Sequence, residues 1–412
     1  MLRAMDRWLP GYLASVLKRE RCSGPRHLLL CIADHFEPFD RTIMPDGCIT
    51  GGVSDSDALK LVKGWTSEYR DALGEFRDAD GMPPRHTFFY PWDEYEEGCL
   101  EHLASFCRAG YGEVEIHLHH RNDSEEGLRQ KLTACRDTYA EQHGLLGGQR
   151  SEAGGESAKP VYAFVHGNWC LCNARRDGDW CGVEREISIL ADTGCYADLT
   201  FPSAPSETQP RSVNEIYYGR DPRAGERGVQ VGGRLKAEKL KAEMGGVEVG
   251  KGQRPTSNIE HRMSNREKYD RGAGRVMMIP GPLGLNWKSR KYGVLPRLEN
   301  GEISGANPAG GERLRLWSRI GVHVKGRPDW VVVKLHTHGA VPCNRKVLTG
   351  ADMISFHREL ARMCSQSRRD AGGEWVLHYV SARELYNILK AAEIGLTGDP
   401  GQYRNREITI GF

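Results

Sequence analysis

The segment EIHLHHRND, residues 115–123, places three histidines within four positions, His117, His119 and His120. Val114, Ile116 and Leu118 alternate with Glu115, His117 and His119, the two-residue period of a strand. Imidazoles that share one face of a strand end suit a divalent metal or an acid–base pair. Other apolar runs end in the same kind of chemistry. CIADHFEPFD supplies Asp34, His35 and Glu37, and HTFFYPWDEY supplies Trp92, Asp93 and Glu94. VYAFVHGNW ends in His166, Asn168 and Trp169, and VVVKLHTHG carries His336 and His338.

Mixed aspartate and histidine ligands favour zinc, with manganese, cobalt or iron as alternatives, over calcium. An ion held by a carboxylate and two imidazoles keeps positions open for water and substrate. It lowers the pKa of that water and polarises a carbonyl. The residue types give Asp34, Glu37 and His338 as catalytic candidates. The metal candidates are Asp34, His35, His117, His119 and His120. Trp92, Asp93, Asn168, Trp169 and His336 are candidates for holding substrate, the indoles by offering a flat apolar face. His86, His102, His357 and His378 fall at strand starts or within helices and read as structural.

Such groups need a scaffold that gathers strand ends. Residues 1–22 have helical apolar spacing at Trp8, Leu9, Leu13 and Leu17. HLLLCIAD is a continuous apolar run of the kind found in parallel strands covered on both faces. SDSDALKLVKGWTSEYRDAL then has a helix start signal followed by apolar spacing. The alternation continues: strands at PRHTFFYPW, GEVEIHLHH, PVYAFVHG, CYADLTF, RVMMIPGPLGL, DWVVVKLHTHG and WVLHYV, with helices between most of them. This order predicts a parallel α/β fold, a distorted (β/α) barrel of about seven strands, with its chemistry at the carboxyl ends. One N-terminal helix over residues 1–24 and a single barrel domain over 25–412 follow from it. Residues 145–159 read as a flexible Gly/Ser/Glu loop. Residues 220–275 form a Gly-rich insertion with an excess of about six positive charges, within which RLKAEKLKAEM has short-helix character.

Composition narrows the class. The chain has 412 residues and a 39% hydrophobic fraction, sufficient for a sizeable core. A net charge of +2 gives no global reason to expect a nucleic-acid or acidic-membrane partner. No apolar run approaches membrane-span length, and the first 22 residues lack the apolar core of a signal peptide. A reduced, cytoplasmic setting is the expectation, with most of the 12 cysteines serving as small hydrophobes. Cys170 and Cys172 form a CxC pair, and no second pair stands at zinc-ribbon spacing.

The order of motifs resembles the polysaccharide deacetylases of the NodB-homology type, carbohydrate esterase family four and its relatives. LLLCIADHFEP stands where the family has a strand ending in two aspartates, and HTFFYPW where it has its next strand. EVEIHLHHRND matches the second motif at Glu115, Ile116 and His119, and VVKLHTHGA the late leucine-x-histidine motif. GNWCLCN, CGVEREISIL, GCYADLTFPSAPSETQP, IYYG, PGPLGLNW and LHYVSARELYNILKAAEIG resemble an uncharacterised branch found among bacterial surface-polysaccharide genes. The resemblance spans roughly residues 25–200 and 275–390. It implies metal-dependent removal of N-acetyl or O-acetyl groups from an amino-sugar or polysaccharide precursor, within exopolysaccharide biosynthesis.

Three positions depart from the family. The paired aspartates are reduced to Asp34 beside His35, so Asp34 is either base or ligand, with Glu37 and Glu115 as other candidate bases. The second histidine of the family's HxxxH falls on Asp123, leaving His117, His120 or Asp123 as the third ligand. GNWCLCN occupies the place of an Arg-x-Pro motif. Two other activities fit the residue types: a glycoside hydrolase using Asp34 with Glu115 or Asp93, and a catalytically silent barrel that binds a glycan or a partner.

Overall fold

The computed structural model describes residues 3–44, 49–149, 159–238, 276–367 and 374–411. Helix α1 (Met5–Leu17) precedes strand β1 (Arg26–His35). Then come α2 (Asp55–Leu73), β2 (His86–Pro91), α3 (Glu97–Phe106), β3 (Gly112–Leu118), α4 (Glu125–Glu141) and β4 (Pro160–His166). They are followed by α5 (Glu186–Asp192), β5 (Cys195–Asp198), β6 (Tyr217–Arg220), β7 (Gln230–Arg234) and β8 (Met277–Met278). The chain continues through α6 (Gly311–Ile320), β9 (Trp330–Thr337), α7 (Ala351–Ser367), β10 (Trp375–Tyr379) and α8 (Ala382–Glu393).

Local signals explain several boundaries. Ser54 accepts from the Asp57 amide at the start of α2, and Ser124 accepts from the Gly127 amide at the start of α4. Ser381 and Glu384 form a reciprocal capping box on α8. Such caps satisfy amides that the first helical turn leaves without partners.

The strands form a curled, mostly parallel sheet in the order β7-β6-β8-β5-β4-β3-β2-β1-β9, a half-barrel of nine strands. The seven from β8 to β9 run parallel, while β6 and β7 extend the edge antiparallel. β10 pairs with Arg26–Leu30 of β1, and β2 takes over beside Ile32–His35. The expected closed barrel is not formed by strand pairing: among the described residues no ladder joins β8 to β9. The gap is bridged instead by Lys334 on β9, whose Nζ donates to the Leu199 carbonyl just after β5 at 2.6 Å.

The pleat divides every strand between two cores. Leu28 and Leu30 of β1 pack outward with Trp65, Phe88, Val114 and Ile116 beneath the helices. Leu29, Cys31 and Ala33 pack inward with Phe89, Ala163, Val165 and Val332. The inward face of β3 is polar along its length, through Glu113, Glu115 and His117. Arg383 pairs with Glu113 at 2.7 Å, and one layer higher the Tyr196 hydroxyl and Ala163 amide donate to Glu115.

Of the expected loop over residues 145–159, residues 147–149 are a strand that pairs with Pro160–Val161 and with Ile408–Thr409. Residues 150–158 lie outside the described residues, as do residues 239–275 of the basic insertion and most of its predicted helix. No helix among the described residues is long and apolar enough to cross a membrane.

Candidate functional site

The inward-facing ends of β1 and β3 bring His35 and His117 together, with ring centroids 5.0 Å apart. His119 continues the β3 alternation one step beyond its end, 4.6 Å from the His117 ring. His338, after β9, closes the other wall with its ring 4.8 Å from His35. Glu37 reaches into the middle. Its Oε1 lies 2.9 Å from His117 Nε2 and 3.5 Å from His119 Nε2. Ligand atoms of His35, Glu37 and His338 form one close group, and those of Glu37, His117 and His119 a second.

The far nitrogens of these rings are already committed. His117 Nδ1 lies 2.9 Å from the Val165 carbonyl, which can only accept, so the proton is on Nδ1. His119 Nδ1 lies 3.0 Å from Asp93 Oδ2, whose other oxygen accepts from the His119 amide at 3.0 Å. Both rings therefore direct Nε2 at the Glu37 carboxylate. At this range each Nε2 either donates a proton to the carboxylate or shares a metal ion with it.

Burial alone would raise the Glu37 carboxyl, but the His117 and His119 hydrogen bonds hold it well below its ordinary value. Burial likewise lowers His119, and Asp93 then outweighs it, leaving His119 well above its ordinary value. His35 is held well below its ordinary value by burial, then by His338 and His117. Its Nδ1 is buried with no hydrogen-bond partner.

This donor set fits a divalent ion. Tetrahedral bonds of 2.0–2.1 Å set donors about 3.3 Å apart, and the Glu37 separations of 2.9 and 3.5 Å bracket that edge. Asp93 behind His119 is the carboxylate–histidine arrangement that orients a ligating ring. Glu94 secures the loop that carries Glu37, accepting from the Phe39 and Arg41 amides at 3.0 and 2.9 Å. Gly167 lets the next turn approach, since a Cβ there would sit 2.1 Å from His119 Cδ2.

Other expected site residues are placed elsewhere. Asp34 is next to His35 on the strand and therefore on the opposite, helix-facing side. It pairs with His86 Nδ1 at 2.9 Å and accepts from the Gly339 amide at 2.6 Å, so it is brought to neither histidine group. A Cβ at Gly339 would lie 2.2 Å from Asp34 Oδ2, so this turn needs the glycine. Glu115 faces inward one layer below and is pushed up to about 8 by burial. Trp92 packs against Tyr95 and Tyr139 in the helix-side core rather than at the mouth. Asp93 serves His119, and His336 is buried below His35 with its ring 6.3 Å away. Trp169 is half-buried with φ 55°, and Asn168 uses its amide to hold His166 Nδ1 at 3.1 Å.

The four histidines read as structural all have close partners. His86 meets Asp34, His102 meets Thr66 at 2.8 Å, His357 meets Tyr379 at 2.8 Å and His378 meets Asp80 at 2.8 Å.

His120 faces outward, away from His119, and meets His166, Cys181 and Glu186 in a fully buried group. Cys181 and Glu186 were not among the residues that strand-end reasoning selects. They come from a loop and a helix start, and only the histidine–glutamate and cysteine content of CGVEREISIL could have pointed to them. These buried groups, like those at the mouth, could hold a metal ion. No family model, curated protein or solved structure matches this chain.

Proposed function

We propose that the chain is a divalent-metal-dependent hydrolase that removes acetyl groups from an amino sugar or polysaccharide precursor. The observation that carries this reading is the convergence of the His117 and His119 Nε2 atoms on the Glu37 carboxylate, with His35 and His338 on the facing wall. The resemblance at CIADHFEP, HTFFYPW, EVEIHLHH and KLHTHGA supplies the substrate class.

Glu37, His117 and His119 would hold the ion, with His35 as a further donor. When bound, zinc or a similar ion lowers the pKa of a water and polarises an acyl oxygen. Asp93 fixes the His119 ring, and Glu94 fixes the loop bearing Glu37. His338, half-buried on the facing wall, protonates the departing amine as the acyl carbon–nitrogen bond breaks. The water would supply its oxygen to the acyl carbon and its proton, by way of His338, to the amine nitrogen, giving acetate and a free amine.

Purified protein should release acetate from N-acetylated hexosamine oligomers, lose that activity to a chelator and recover it with zinc. His117→Ala should abolish the release. Metal binding without turnover on any acetylated sugar would favour the silent barrel instead. The two-carboxylate glycosidase is less well supported, because Asp34 is committed to His86 and Gly339, and Glu115 to Tyr196 and Ala163.

A further inference from the structure

We propose that His120, His166, Cys181 and Glu186 form a second, structural metal site, of the zinc type, separate from the mouth. Each side chain is essentially inaccessible, with residue exposures of 1%, 0%, 0% and 0%. They come from four places: just after β3, the last residue of β4, the loop that follows, and the first residue of α5. One ligand atom from each lies within 4.8 Å of all the others.

Glu186 Oε1 is 3.2 Å from His120 Nε2 and 3.7 Å from His166 Nε2, and Cys181 Sγ is 3.5 Å from Oε2. His166 Nε2 is buried and has no hydrogen-bond partner, although it is aimed into this group. The Asn168 amide faces Nδ1 of the same ring. That backbone N–H donates to Nδ1 at 3.1 Å, a contact that gives way when ligation through Nε2 moves the ring proton to Nδ1.

The surroundings hold each donor in place. The Cys172 amide binds Glu186 Oε2 at 2.7 Å, and the Val183 amide points at Cys181 Sγ at 3.4 Å, a contact suited to a thiolate. Asp123 Oδ2 stands 3.6 Å behind His120 Nδ1 and is itself held by Lys131 at 2.8 Å. Carboxylates in this position orient metal-bound imidazoles.

Charge makes the same case. The carboxylate of Glu186 is fully buried, and no lysine or arginine salt bridge reaches it among the described residues. Zinc with one thiolate, one carboxylate and two neutral imidazoles has no net charge, which removes the cost of an uncompensated buried ion. A thiolate in the donor set selects zinc over magnesium, calcium or manganese. The site would pin the loop between β4 and α5, whose Gly167 packs on His119.

The test uses the full chain with the mouth disabled by His117→Ala and His119→Ala, loaded with cobalt(II). One equivalent of cobalt should remain after desalting and show a thiolate-to-cobalt charge-transfer band in the near ultraviolet. Adding Cys181→Ser should abolish that band. Because the first step leaves the buried group intact, it is informative even where the cysteine variant fails to fold. Absence of a retained equivalent, a retained ion without the thiolate band, or a band that survives Cys181→Ser would each overturn the proposal.

Discussion

The mouth of the half-barrel and the buried group behind it draw on the same four-residue stretch, His117 to His120, yet differ in access and in donor type. At the mouth, Glu37 and His119 side chains keep 18% and 16% of their exposure, and every donor is nitrogen or oxygen. In the buried group the His120 and Glu186 side chains are at 0%, and one donor is sulfur. The difference teaches how the pleat assigns roles. His117 and His119 face inward beside the partly exposed Glu37, while His120 turns outward under α5. An open set of hard donors suits exchange of water and substrate; a closed set with a thiolate suits permanent retention.

This contrast predicts distinct consequences of disruption. Glu37→Gln keeps the shape of the mouth but removes the charged ligand at its centre, and acetate release should be abolished, while urea unfolding scarcely changes. Cys181→Ser combined with Glu186→Gln should do the reverse. It should cost about 3–5 kcal/mol in a urea melt, as expected for breaking a buried charged group, with turnover per folded molecule retained. If the single change and the double change abolish activity equally, the division of labour is wrong.

Asp93→Asn should have an intermediate effect. The ring of His119 loses its orienting carboxylate, and zinc affinity measured against a competing chelator should fall about 10–100-fold. Asp34→Asn sharpens the comparison from the other side. It should leave metal stoichiometry unchanged and lower stability by about 1–3 kcal/mol, because the buried His86 ring loses its partner. Loss of metal from Asp34→Asn would return that residue to the site.

The smallest effect belongs to a polar group remote from both. Burial tends to raise Asp80, but His378 and Arg404 outweigh it and hold it down to about 2. An acid depressed on folding adds stability above its unfolded value, about 3.9, and loses it as pH falls toward about 2. Comparing wild type with Asp80→Asn in melts across that window should show a shallower acid loss for the variant.

Much of this architecture is legible in the sequence, because continuous apolar runs and capped amphipathic helices alternate from HLLLCIAD to SARELYNILKAAEIG. Closure is not, since it depends on how far the sheet curls, and a lysine rather than a ladder spans β5 and β9. His35, Glu37, His117, His119 and His338 were accessible by reading strand ends. Asp34 was misplaced because a motif match ignores the pleat: Leu28 and Leu30 already mark even positions of β1 as helix-facing. Trp92 follows the strand into a 3₁₀ turn that rotates it into the aromatic core. Cys181 and Glu186 meet His120 only through long-range folding of an irregular loop, for which no local period exists.

The most direct test of the central claim is a zinc titration of metal-stripped protein carrying Cys181→Ser and Glu186→Gln, with acetate release from N-acetylated hexosamine oligomers followed at each step. Activity should rise linearly and break at one equivalent of zinc, and the same protein with His117→Ala should neither bind nor turn over. Acetate release that is already complete without zinc, or that is unchanged by His117→Ala, would contradict a metal centre at Glu37, His117 and His119.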